Sequence, residues 1–158
     1  MKPKNDDEFY NYLVDWCNKA ERCAFDITKK AARREIPKEK VLEWIERLKK
    51  SGLVNHERYA ESFAHDHYLF KKWGVNKIKY ALKSKHIEEE FIQRAMAILD
   101  PEIGLDHLQT IVLRDANRLE RIGVEKWKAS IIRKCVAKGY ALDRCLQAVN
   151  SYLKGRSE

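Results

Sequence analysis

No stretch of this chain comes near the run of about eighteen apolar residues that a membrane-crossing helix needs. Proline and glycine are scarce, three and six residues, too few for the many turns of a β-sandwich or barrel. The opening residues, Met1-Lys-Pro-Lys-Asn-Asp-Asp-Glu, lack the apolar core of a signal peptide, so the cytoplasm is the expected compartment. Cys17, Cys23, Cys135 and Cys145 are then reduced thiols, and their spacing fits no zinc pattern. Cys135 and Cys145 fall at apolar positions and read as small buried hydrophobes. Lys, Arg, Glu, Leu, Ile and Ala dominate what remains, which favours helix.

One helical pattern is written three times along these 158 residues. Ile36, Ile87 and Tyr140 serve as anchors. Five residues on come Val41, Ile92 and Cys145; four further, Ile45, Met96 and Val149; three further, Leu48, Leu99 and Tyr152. Two residues before each anchor stands a base: Arg34, Lys85, Lys138. Nine residues before the first two anchors lie Ile27 and Ile78, a role Trp127 takes in the third copy with four residues inserted, about one helical turn. Cys23, Gly74 and Gly123 precede these at a fixed distance. A period near fifty residues built only from helical spacing predicts an all-α chain of three tandem three-helix repeats. A unit of that size is marginal alone, so the repeats are expected to stack into one elongated, curved array, with boundaries near 6–52, 53–100 and 101–154.

The spacing predicts a helix over Asp6 to Arg22 with Phe9, Leu13, Trp16 and Ala20 on one face. A short helix from Asp26 to Glu35 follows, then one starting at Pro37, an apt first-turn residue, and ending at Ser51-Gly52. Asn55 is a good cap for a fourth helix carrying Tyr59, Phe63, His67 and Phe70. Helices over Asn76 to Lys85 and from Glu88 follow, the latter opening on three acids that suit a helix N-terminus. Beyond Asp100-Pro101 come a long helix from Ile103 to Arg121, one from Glu125 to Ala137, and a last one carrying Leu142, Cys145, Leu146, Val149 and Leu153. The tail from Gly155 is expected to fray.

The net charge of +8 invites an anionic partner, and its placement is more telling than its size. The middle helix of each repeat is the basic one. Lys71, Lys72, Lys77, Lys79, Lys83 and Lys85 stand in a stretch without Asp or Glu, as do Lys126, Lys128, Arg133, Lys134 and Lys138. Lys29, Lys30, Arg33 and Arg34 form a weaker counterpart in the first repeat. Any single lysine is explained as part of a solvated face, but three acid-free helices in equivalent places point to polyanion binding. Trp73 and Trp127 could stack on bases, although packing inside the repeats explains them better.

Catalytic chemistry is not legible. There is no Gly-rich phosphate loop and no Gly-x-Ser-x-Gly elbow. His65-Asp66-His67 invites a metal-dependent phosphohydrolase reading, but neighbouring helix residues point about 100° apart and do not converge. His56, Asp115 or Asp143 would have to complete such a site, and no spacing supports them. Neither catalytic residues, metal nor cofactor are therefore expected.

Three segments carry a resemblance. Asn55-His-Glu-Arg-Tyr-Ala-Glu-Ser-Phe-Ala, Lys72-Trp-Gly-Val-Asn-Lys-Ile-Lys-Tyr-Ala-Leu-Lys-Ser-Lys and Ile87-Glu-Glu-Glu-Phe-Ile resemble the RecX family of bacterial regulatory proteins. Arg58, Tyr59, Ala60, Gly74, Ile78, Leu82 and Lys85 match its pattern in the middle repeat, and Lys138-Gly139-Tyr140 in the last. His86 and Glu35 stand where the family often has Gly, Ala31 where Leu is usual, and Pro37 follows that turn. The resemblance implies a non-enzymatic monomer that binds RecA, chiefly as the nucleoprotein filament. It implies inhibition of recombinase, ATPase and coprotease activity in DNA repair, recombination and the SOS response. It also implies binding of DNA, single- or double-stranded. The alternative from charge alone is a sequence-nonspecific DNA-binding helical module without a recombinase partner. The residues expected to pair with phosphates or carboxylates are Lys71, Lys72, Lys77, Lys79, Lys83 and Lys85 with Arg133, Lys134 and Lys138. Tyr59, Gly74, Ile78 and Leu82 are expected to maintain the fold.

Overall fold

Local chemistry sets the start of the helices that follow Asn5, Asn55 and Asp100. In the computed structural model, which describes residues 5–157, Asn5 opens α1 (Asp6–Lys19) by accepting the Glu8 N–H at 2.9 Å. The residues Met1-Lys-Pro-Lys of the leader reading lie outside the described residues. α2 (Ala24–Ala32) and α3 (Lys38–Lys50), with Pro37 as its N-cap, complete the first triplet. The second is α4 (His56–Leu69), α5 (Val75–Ser84) and α6 (Glu89–Ala97), and Asn55 caps α4 by accepting the Arg58 N–H at 2.9 Å. The third is α7 (Pro101–Leu119), α8 (Val124–Ala137) and α9 (Leu142–Ser157). Asp100 caps α7 and Pro101 occupies its first turn. The extra turn of the third triplet sits in α8, with 14 residues against 9 in α2 and 10 in α5; α7 is longer too, 19 residues against 14 in α1 and α4, and is followed by a 3-10 turn at Glu120–Ile122. The described residues are thus all-α, nine α-helices in three successive triplets.

The threefold anchor has a specific cause. In each triplet the middle helix ends in the same double hydrogen bond. The anchor N–H reaches back five residues: Ile36 to the Ala31 carbonyl at 3.4 Å, Ile87 to Leu82 at 3.2 Å, Tyr140 to Cys135 at 3.1 Å. The preceding N–H closes the inner bond, Glu35 to Ala32, His86 to Lys83 and Gly139 to Val136, at 3.0–3.1 Å. This is a Schellman cap, which needs a left-handed residue just before the anchor. Glu35, His86 and Gly139 have φ of 56°, 57° and 105°. Only the third is glycine; Glu35 and His86 accept a conformation that costs a side chain about 1 kcal/mol. Ala31, Leu82 and Cys135, which receive the long bond, are all fully buried.

The chain folds as two compact units, one of the described residues through Ser62 with Leu82–Ala95, the other of Phe63–Ala81 with the residues from Met96 onward. The first is built on Phe9, Leu13, Cys17, Ile27, Val41, Trp44, Ile45 and Leu48. Its α1 face runs through Cys17, with the expected Trp16 half-buried against the same core, whereas Ala20 falls outside it because α1 stops at Lys19 and Ala20 is already extended and exposed. Also in this unit, buried His56 ties α4 to α2: its Nε2 accepts the Ala24 N–H at 3.0 Å and its Nδ1 faces Glu88 Oε2 at 2.9 Å. An imidazole thus supplies the N-terminal cap that Cys23, the residue before α2, does not. Burial works to raise the Glu88 carboxyl, but its own backbone N–H and His56 outweigh that and hold it below the ordinary value.

The second unit packs Leu108, Ile111, Val112 and Ala116 of α7 against Trp127, Ile131 and Cys135 of α8 and Cys145, Ala148 and Val149 of α9. Phe70 departs from expectation: α4 ends at Leu69, its buried positions here are Ala64 and Tyr68, and the Phe70 ring is 73% exposed. Leu142 and Leu146 likewise lie outside, while α9 continues as helix through Ser157 rather than fraying from Gly155. All four cysteines are buried and free, and burial pushes their thiols up, Cys23 to about 11 and Cys135 to about 12. Such thiols are inert packing groups.

Candidate polyanion interface

Two glycines build the site. In the second unit the Gly74 N–H donates to the Lys138 carbonyl at 2.9 Å and the Asn76 N–H to the Gly139 carbonyl at 3.0 Å. The carbonyls just past the end of α8 thereby satisfy donors at the start of α5, groups a helix N-terminus leaves unpaired by itself. The approach is so close that a Cβ on Gly74 would lie 2.2 Å from the Gly139 carbonyl carbon. Tyr140 locks the joint from the side, its hydroxyl donating to the Lys72 carbonyl at 2.7 Å. The chain enters through Lys72 in the left-handed region, φ 57°.

The joint brings Lys72 and Lys138 together, and two more bases join them. Lys138 caps the C-terminus of α8 one turn after Lys134, and Arg114 comes from α7. Burial, then Arg114, Lys134 and Lys72, hold the Lys138 ammonium below its ordinary pKa. The same field reaches His107, lowered first by burial and then by Lys72 and Lys138. One carboxylate answers them. Asp115, 2% exposed, accepts Lys134 Nζ at 2.5 Å and Arg114 Nε at 3.0 Å. Burial would raise its pKa, but those two hydrogen bonds outweigh it and hold the carboxyl below 3.8. The cluster keeps an excess of positive charge in a partly desolvated place, where an anion is most favourable.

Asp115 makes a pH prediction. A carboxyl depressed by folding contributes stability that is complete above its unfolded value, about 3.9, and is lost as pH falls through the lower folded value. Asp115→Asn should cost about 2 kcal/mol at neutral pH and flatten the acid limb of a melting-temperature profile. An acid limb as steep as in the unaltered chain would contradict that.

The other expected bases sort by environment. Lys71, Lys72, Lys79, Lys83, Arg133 and Lys134 are exposed, Lys134 in its pair with Asp115 and Lys83 3.6 Å from Glu89. Lys77 is half-buried with its ammonium 4.2 Å from the Trp73 ring centre. Lys85 belongs to a first-unit network: its Nζ meets Asp26 at 2.8 Å, and Tyr59 also reaches Asp26 at 3.5 Å. Burial alone would lower the Lys85 pKa, but Asp26 and Tyr59 raise it, while the Tyr59 hydroxyl is pushed up by burial to about 12. In the weaker set, Lys29 and Arg33 are exposed, whereas Lys30 lies over Tyr12 and Trp16 and Arg34 over Phe9. Those two cover aromatic surface with their stems. Trp127 is core, 1% exposed, and Trp73 is half-buried against His67, ring centres 4.4 Å apart. Arg114 escaped the sequence reading because it stands on an outer helix next to an acid; its i+7 relation to His107 was the available signal.

His65 and Asp66 pair with each other at 3.1 Å, whereas His67 Nδ1 donates to the Phe63 carbonyl at 2.8 Å and its ring stacks on Phe63 at 3.8 Å. Among the described residues no three metal-ligating side chains converge. Nor is any helix among them long and apolar enough to cross a membrane.

The capped helix triplets and the glycine joint define a class, the all-α proteins built of tandem three-helix units. Residues 55–96 match the family described as RecX, second three-helix domain. Over most of its length the chain is similar to proteins named regulatory protein RecX. It is 29% identical over 145 residues to the regulatory protein RecX of Clostridium perfringens, covering 89% of this chain and 68% of that one. The Mycobacterium sp. (strain JLS) relative of the same name is 24% identical over 162 residues, 99% and 88% of the two chains. With that of Bacillus pumilus the identity is 24% over 153 residues, but only 57% of the relative is spanned. The crystal structure of RecX from Lactobacillus salivarius shares the fold, TM-score 0.76 at 20% identity, covering 90% of this chain and 92% of that one. A second RecX crystal structure superposes with TM-score 0.79 at 20% identity, covering 90% and 70%.

Proposed function

We propose that this chain binds RecA and its nucleoprotein filament and limits recombinase, ATPase and coprotease activity, with no catalysis of its own. The supporting observation is the cluster at the glycine joint. Burial lowers the Lys138 pKa first, and Arg114, Lys134 and Lys72 crowd closely enough to lower it further, with Asp115 as the carboxylate that answers them. Such a field attracts phosphates or surface carboxylates over a Debye length and falls with salt. The resemblance to RecX, strongest where the joint begins, supplies the partner.

The test is RecA's ATPase on single-stranded DNA, with this chain titrated far below the RecA concentration. Inhibition at such ratios, weakening with added salt, is the expected result. No inhibition, with tight salt-sensitive binding to naked DNA in the same buffer, would replace this reading by the general DNA-binding one.

A further inference from the structure

Two largely exposed aromatic rings fall in a stretch of chain that carries no acid, Phe70 with its ring edge-on to His65 at 5.9 Å. Tyr80 is 75% exposed and Phe70 73%, the highest values among the large apolar side chains of the described residues. Both fall in the stretch from His67 to Ile87, which holds no Asp or Glu. They are also the only large apolar side chains exposed in it; the exposed aliphatics Leu42, Ile98 and Leu113 lie elsewhere. Tyr80 projects from α5 beside Lys79 and one turn from Lys77; Phe70 ends α4 and runs directly into Lys71 and Lys72. Neither ring contributes core burial, and a tyrosine is a poorer helix former than the lysine or alanine that this surface would accept.

Exposed rings bracketed by lysines, with no other exposed large apolar side chain in the same stretch, do not make a peptide groove, which is read through apolar anchors at helical spacing. Each offers a face on which a base can lie flat while ammonium groups follow the phosphates. We propose that Tyr80 and Phe70 are base-stacking residues for single-stranded nucleic acid, with Lys71, Lys72, Lys77 and Lys79 as the backbone contacts. This rests on the regulatory reading and deepens it: the chain would hold bases of the strand as well as phosphates. The sequence alone favoured Trp73 and Trp127 for stacking, but these are half-buried and buried.

The test compares a labelled oligothymidylate with an oligomer of the same length made of abasic residues, by fluorescence anisotropy over a salt series. The unaltered chain should bind the thymidylate on the order of tenfold more tightly than the abasic strand. Tyr80→Ala and Phe70→Ala should each weaken thymidylate binding by about tenfold. Abasic binding, the salt slope and the melting temperature should not change, and Tyr80→Phe should bind normally. Equal affinity of the unaltered chain for both strands, equal losses on both, or no binding to either overturns the stacking assignment. RecA inhibition by the unaltered chain is read separately. If it persists while the stacking test fails, only the stacking is wrong; if it is absent, the regulatory reading falls.

Discussion

Gly74→Ala is expected to lower the melting temperature of this chain by roughly 10 °C. A methyl group at this position meets the Gly139 carbonyl carbon at 2.2 Å, its oxygen at 2.3 Å and the Tyr140 nitrogen at 2.4 Å. All three are backbone atoms, so no side chain can rotate away. Relief requires the ends of α5 and α8 to part, which breaks the hydrogen bonds from Gly74 to Lys138 and from Asn76 to Gly139. Overpacking of about 1–3 kcal/mol adds to about 1 kcal/mol for each lost bond. Gly139→Ala faces the same crowding, 2.5 Å from Lys77 Cβ, with a φ of 105° that disfavours any side chain. Gly155→Ala is the control, since nothing lies within 4 Å and the residue is helical. Circular-dichroism melts of the three variants decide the matter; a Gly74→Ala melt matching that of Gly155→Ala would mean the joint does not hold the unit together.

The second large effect is functional. Lys72→Glu with Lys138→Glu should raise the concentration needed to inhibit RecA's ATPase on the order of a hundredfold, since like charges facing an acidic partner cost several kcal/mol. Stability should not fall. Lys138 is held down first by burial and then by repulsion from Arg114, Lys134 and Lys72, and glutamates there would gain Arg114 and Lys134 as neighbours. Lys49→Glu with Lys50→Glu makes the same change in net charge at the end of α3 and should inhibit normally. Equal loss in both double variants would mean that total charge, and not this site, drives the interaction.

The tandem helices were legible because capping repeats. Ile36, Ile87 and Tyr140 recur as residues that close a helix, a role fixed by local backbone geometry and so visible at fixed spacing. The basic helices were equally plain from the lack of acids. What one chain position cannot reveal is its distant neighbour. The pairing of Gly74 with Gly139 spans the second unit, and without it two matching residues remain unconnected facts. Lys134 and Lys85 read as open cations until Asp115 and Asp26 are placed beside them. His56 read as a stray ligand because nothing local shows that it caps α2. Phe70 fitted a helical stripe that ends one residue before it.

The joint also orders events in time. The donors at the start of α5 have their acceptors 64 and 63 residues later, at Lys138 and Gly139, and Lys72 waits 68 residues for Tyr140. A ribosome delivers Gly74 long before its lid exists. During that interval the N-terminus of α5 is held by water alone, and a message cut short before codon 138 yields a protein whose second unit has half its seam.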